Sequence, residues 1–328
     1  MTSHSPGIRR RTALAALFAS AAALGGCGGG DAEPQAPQAS DPPDEHQANT
    51  KSGSTLPEGW LWGVTTDDPR TGTTAQIDAL KSFGVRPTVR MVFDAGEAAS
   101  GYDSEVGAFA RVANVMGQPV DSVYMSDLSV DQVSGRIDEY LRQFGDVVQL
   151  WEVGNEVNGD WLGDDVVQKI ERMYDPVKRA GGQTVLTTYY EPEAAGEHDM
   201  LDWIDRNLPA GHRMRSGLDY VMVSYYEDEN GGHQLTQAEI DAMFTGLHAR
   251  FPNARLAIGE YGWGKRIPTD PQLRASLIRR VQGYRVPSVP AFVGGGFYWH
   301  FNRTMSPKSK PDWAVLNGLM AQATRPSA

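Results

Sequence analysis

The chain has 328 residues, 40% of them hydrophobic and 22% charged, with a formal net charge of −11. That is enough apolar material for one sizeable core or two small ones, so disorder is excluded as the default state. The acidic balance argues against binding nucleic acid or anionic lipid through charge.

The first element is a targeting segment, not part of a fold. Arg9, Arg10 and Arg11 precede an uncharged apolar run from Thr12 to Gly26, which is too short to span a bilayer comfortably. It ends in Leu24-Gly25-Gly26-Cys27, which resembles a bacterial lipobox and implies a signal peptide over 1–27 with Cys27 as the lipidated residue. The arginine run also loosely resembles a twin-arginine signal. Cys27 is the only cysteine, so no intramolecular disulfide can form. Residues 28–56 are rich in Gly, Pro, Ala, Gln and Asp and read as a flexible tether. The composition and the anchor predict an exported monomer held on the cell envelope. Its folded domain would stand in the periplasm or outside the cell. Gly28 after Cys27 lacks the aspartate associated with inner-membrane retention in some bacteria, which favours the outer membrane.

Residues 57–328 are about the size of one (β/α)₈ barrel. β-rich runs are read at 59–65, 86–93, 120–125, 147–153, 183–189, 219–225, 255–259 and 294–300. Helical periodicity lies between them at 73–83, 130–144, 166–180, 236–250 and 271–283. In the second of these helices Ile137, Tyr140, Leu141 and Phe144 recur at the spacing of one buried face. Repeated strand–helix alternation implies a parallel sheet. The first strand is followed by Gly63-Val64-Thr65-Thr66-Asp67-Asp68, which is no Gly-rich phosphate turn, so a closed barrel is preferred to a doubly wound open sheet.

Two strand ends carry the chemistry. Trp151-Glu152-Val153-Gly154-Asn155-Glu156 closes the fourth strand, and Ala257-Ile258-Gly259-Glu260-Tyr261 closes the seventh. Paired carboxylates on a barrel mouth can split a glycosidic bond, one as acid and the other as nucleophile, if about 5–5.5 Å separates them. The pair resembles the signature of the clan A superfamily of retaining (β/α)₈ glycoside hydrolases. The resemblance implies hydrolysis of β-glycosidic bonds in a neutral polysaccharide or oligosaccharide, with Glu156 as acid/base and Glu260 as nucleophile. It implies that Asn155 bonds the sugar 2-hydroxyl, that Arg90 on the second strand keeps Glu260 ionised, and that Trp299 on the eighth floors the sugar subsite. It also implies a sixth-strand tyrosine orienting the nucleophile. Tyr225 is taken for that role and Tyr226 is the alternative, since only one of two neighbours can face the mouth.

Gly154 and Val157 depart from the tryptophan and proline common in that clan, and its third-strand histidine is absent, with Tyr124-Met125-Ser126-Asp127 standing there. Glu152 is read as a buried, hydrogen-bonded strand residue. Asp67, Asp68 and Glu191 are read as sugar contacts or loop acids, and Trp60, Trp62, Trp161 and Trp263 as stacking faces or core in equal parts. The seven histidines show no metal-ligand spacing, and neither a metal nor another cofactor is implied. Within the enzyme reading, hydrolysis and transglycosylation are indistinguishable from sequence. The reading from another class is a noncatalytic carbohydrate-binding lipoprotein on the same barrel.

Overall fold

The computed structural model describes residues 59–323. The signal segment, Cys27 and the tether lie outside the described residues.

Eight parallel strands close into a barrel in sequence order. They are β1 (Leu61–Thr66), β2 (Thr88–Val92), β3 (Asn114–Gln118), β4 (Leu150–Gly154), β5 (Gln183–Tyr189), β6 (Tyr220–Tyr225), β7 (Arg255–Tyr261) and β8 (Phe292–Tyr298). Around them run α1 (Thr73–Lys81), α2 (Asp103–Ala110), α3 (Val130–Phe144), α4 (Val166–Arg179), α5 (Met200–Asn207), α6 (Arg213–Gly217), α7 (Gln237–Arg250), α8 (Pro271–Gly283) and α9 (Pro311–Ala323). The protein is therefore a (β/α)₈ barrel. Capping fixes where several helices start on the rim above the strand ends. Ser129 with Gln132 forms a capping box on α3, Thr236 with Glu239 forms one on α7, and Asp199 caps α5.

The third strand differs from the expectation of 120–125. It lies at Asn114–Gln118, and Ser122–Asp127 is a 3₁₀ turn. Pro119 brings no N–H to continue the ladder. Two residues on, the Asp121 carboxylate accepts from Val123 N at 3.1 Å and starts the turn.

Side chains alternate between two cores. Leu61, Met116, Leu150, Val185, Tyr220, Met222, Ala257 and Phe297 fill the barrel interior, and a larger cluster packs strands against helices. Gly63 makes room for Phe297, because a Cβ there would stand 2.5 Å from the ring. Moving two residues toward the C-terminal end from these interior positions gives Gln118 after Met116, Glu152 after Leu150, Thr187 after Val185 and Ser224 after Met222. The interior face thus turns from apolar to polar as it approaches the mouth.

Candidate active site

At the end of β4 the chain turns sharply. Glu156 sits at φ 49°, a left-handed conformation uncommon for a residue with a side chain and one that costs about 1–3 kcal/mol. The departures from the clan pattern have local causes. A Cβ on Gly154 would lie 2.5 Å from Ile170 and 2.8 Å from Leu186. Val157 donates its N–H to Thr187 O at 3.1 Å, a bond that proline lacks the hydrogen to make. Asn158 then ties the turn to β5, accepting from Tyr189 N at 2.7 Å and donating to Tyr189 O and His198 O at 2.8 and 2.9 Å.

This turn delivers Asn155 and Glu156, both buried, into the mouth. Glu156 Oε2 accepts from Ser122 Oγ at 2.9 Å and Oε1 from Ser224 Oγ at 2.6 Å. Asn155 Oδ1 accepts from Ser122 N at 3.1 Å, and its amide reaches Glu152 at 3.4 Å.

Glu260 reaches the same mouth from β7. The register between β6 and β7 shifts by one residue before it, so that Ser224 pairs with Glu260. Arg90 Nη2 donates to Glu260 Oε2 at 2.5 Å, and Tyr226 Oη donates to Oε1 at 2.5 Å. The remaining donors of Arg90 reach Thr65 Oγ1 at 3.2 Å and Glu152 at 3.3 Å. Arg90, Glu152 and Glu260 are all fully buried. Burial alone would lower the basicity of Arg90, but the carboxylates of Glu152 and Glu260 outweigh it and hold the guanidinium more firmly protonated than usual. Burial pushes the Glu152 carboxyl above its ordinary range, against the pull of Arg90 and of the Thr187 hydroxyl at 2.5 Å.

The expected tyrosine is corrected. Tyr225 turns away from Glu260 and donates to His233 O at 2.7 Å, beside Tyr190; the neighbour Tyr226 contacts Glu260. The reason is the pleat: Tyr220 and Met222 point inward, so Ser224 and Tyr226 share their face and Tyr225 does not. That phase was a signal in the sequence. Ser122, Ser224 and Gln118, which sequence reasoning missed, are common residue types with no motif of their own.

Trp299 is partly exposed on the rim, with its ring centroid 5.2 Å from the Arg90 guanidinium carbon. Trp161 and Trp263 are also partly exposed on rim loops. Trp60 and Trp62 lie at the other end of β1 and pack on each other, with Phe292 against Trp60, so they are core. Asp67 bonds Asn302 at 2.8 Å and pairs with Arg303. Asp68 accepts from Thr71 N at 3.0 Å, a loop role. Glu191 is partly exposed after β5. Among the described residues, no group of three or more His, Cys, Asp or Glu side chains is placed to hold a metal ion.

No protein-family model matches the chain, nor does the sequence of any curated protein. Solved structures do. A β-glucosidase from Thermotoga maritima in complex with castanospermine is 12% identical, covering 83% of this chain and 99% of its own, with a TM-score of 0.58. A family 1 β-glucosidase from the same organism is 12% identical over 84% of this chain and 100% of its own, with a TM-score of 0.55. A glucosidase from Croceicoccus marinus is 13% identical over 80% of this chain and 67% of its own, with a TM-score of 0.51. At these identities the likeness is one of fold.

Proposed function

We propose that this protein is a retaining β-glycoside hydrolase acting on a neutral polysaccharide or oligosaccharide, with Glu260 as nucleophile and Glu156 as acid/base. The observation that carries the reading is the contrast between the partners of the two carboxyl groups. Glu260 is gripped by a guanidinium, which can only donate, and by a phenol, surroundings that favour a permanent carboxylate. Glu156 is held by two serine hydroxyls, each able to donate to a carboxylate or to accept from a carboxylic acid, as a group that cycles its proton requires.

In the first step Glu260 bonds to the anomeric carbon, the glycosidic C–O bond breaks, and the departing oxygen takes the proton of Glu156. In the second, water gives a proton back to Glu156 and attacks the same carbon, and the ester to Glu260 breaks. Asn155 and Trp299 hold the sugar, and Tyr226 takes the orienting role expected of Tyr225. A neutral substrate is supported by five of the eight rim segments. Those after β2 to β6 (93–102, 119–129, 155–165, 190–199 and 226–236) contain no lysine or arginine and many acids, whereas those after β1, β7 and β8 carry Arg70, Lys265, Arg266 and Arg303. The acidic side of the rim disfavours an anionic glycan. The enzyme is exported and anchored to the outer membrane by lipid on Cys27.

The test is hydrolysis of a panel of neutral β-linked polysaccharides by wild type, Glu156→Gln and Glu260→Gln. Glu156→Gln is expected to lose about 10²–10⁴-fold in rate, and Glu260→Gln at least as much. Cleavage at full rate by both variants would refute the assignment.

A further inference from the structure

Gln118 is the last residue of β3. Its neighbour Gly117 faces outward, where a Cβ would meet Phe93 and Trp151. Met116 faces the barrel interior. Gln118 is therefore an inward residue, one pleat nearer the mouth than Met116. Met116 pairs with Leu150, which puts Gln118 level with Glu152, and the chain returns four residues later to place Ser122 on Asn155 and Glu156.

The other polar side chains of this layer are tied to one another. Thr65 and Glu152 bond Arg90, Thr187 bonds Glu152, and Ser224 bonds Glu156. Gln118 is the exception. Its side chain has no solvent exposure, and neither its Oε1 nor its Nε2 has a hydrogen-bond partner among the described residues. A leucine or methionine would fill similar space without burying an amide, and an unmet buried polar group costs about 1–3 kcal/mol. The position accordingly suits a ligand-binding amide better than a packing residue.

We propose that Gln118 is a specificity-determining residue that binds two adjacent hydroxyls of the sugar ring held between Glu156 and Glu260. One hydroxyl donates to Oε1 and its neighbour accepts from Nε2–H. A primary amide offers one acceptor and one donor side by side, and a vicinal diol offers the complement. The inference rests on the glycosidase reading and deepens it: the substrate carries a free vicinal diol on the reacting unit, and a ring substituted at either of those oxygens is excluded.

The experiment uses 2,4-dinitrophenyl β-glycosides of glucose, galactose, mannose and xylose, followed by the 3-deoxy and 4-deoxy analogues of the best of them. Wild type is compared with Gln118→Leu and, should that fail to fold, Gln118→Met. The expected variant melts no lower than wild type and loses about 10- to 100-fold in kcat/KM on the parent sugar. On the deoxy analogue lacking a contacted hydroxyl, wild type and variant converge. If the variant stays within twofold of wild type and discriminates among the analogues as wild type does, Gln118 is a water-solvated structural amide and the proposal falls while the hydrolase reading stands. If wild type cleaves neither the four glycosides nor the neutral polysaccharides, the hydrolase reading fails, and calorimetric titration with cellohexaose, mannohexaose and laminarihexaose decides. Binding by wild type that Gln118→Leu abolishes supports the amide–diol contact, whereas equal affinity, or no binding by wild type, overturns it.

Discussion

Arg90 serves two carboxylates at once, and that sharing governs the protonation of the mouth. Glu152, Glu156 and Glu260 are all buried there, so one guanidinium cannot neutralise every acid. Glu152 is where the excess is relieved, because burial, together with the charge of Glu260, shifts its carboxyl upward from 4.5 against the pull of Arg90, Thr187 and Asn155. The folded state therefore keeps this proton at a pH where the unfolded chain has released it. As pH rises from about 4.5, the folded protein binds more protons than the unfolded chain, and this group's contribution to stability declines until its folded-state pKa is passed. Glu152→Gln has no proton to lose at this position. Its melting temperature is expected to gain on that of wild type as pH is raised from 4.5 toward 7, and melting curves for both proteins across that range check it. Parallel curves would show that Glu152 titrates alike in both states. The same crowding explains what the sequence conveyed at this scale. Arg90, Asn155, Glu156 and Glu260 stood out because charged or motif-borne residues at strand ends signal chemistry. The serines clasping Glu156 did not, since a hydroxyl becomes informative only when its partner's position is known.

Among the elements, α3 ties two loops of the rim together. Its apolar face, Val133, Ile137, Tyr140 and Phe144, is buried, and Arg136 on the same helix reaches over the strand ends. Arg136 donates to five carbonyls: Pro119 at 2.5 Å, Asp94 at 2.6 Å, Glu97 at 2.9 Å, Phe93 at 3.2 Å and Ala95 at 3.3 Å. It also lies over the Tyr140 ring at 4.6 Å. These bonds join the loop after β2 to the loop after β3, which carries Ser122. Arg136→Met keeps the length of the stem but strands those carbonyls, and is expected to cost about 3 kcal/mol in urea unfolding; a loss under about 0.5 kcal/mol would mean that solvent replaces the guanidinium freely. The sequence-read limits of α3 and α8 coincide with those observed, α3 through its apolar periodicity and its Ser129 cap, α8 through Pro271 in its first turn and Gly283 at its end. The third strand was misread because Asn114-Val115-Met116-Gly117-Gln118 is short and mixes strand-poor residues, while Val120 to Met125 is more apolar. What set the boundary was the missing N–H of Pro119 and the cap from Asp121, which are local details that average hydrophobicity does not register.

At the scale of the molecule, strand direction determines how an anchored barrel would face its surroundings. All eight strands are parallel, so their first residues share one end of the barrel and their last residues, with Glu156 and Glu260 beyond them, share the other. The described chain enters at Gly59, just before β1, and therefore joins the end opposite the mouth. A lipid on Cys27 would therefore attach the barrel by the end opposite the mouth. The anchor and the chemistry are then separable. Cys27→Ser is expected to move the protein from the membrane fraction to the soluble fraction while leaving kcat/KM on a soluble aryl glycoside unchanged. No disulfide is at stake in the exchange, since Cys27 is the only cysteine. Fractionation of cells making each form tests the anchor. A Cys27→Ser protein that stays with the membrane would place the attachment in the apolar run from Thr12 to Gly26, and the lipid assignment would be lost. The mouth would still lie at the far end of the barrel, because either attachment reaches it through the same foot of β1.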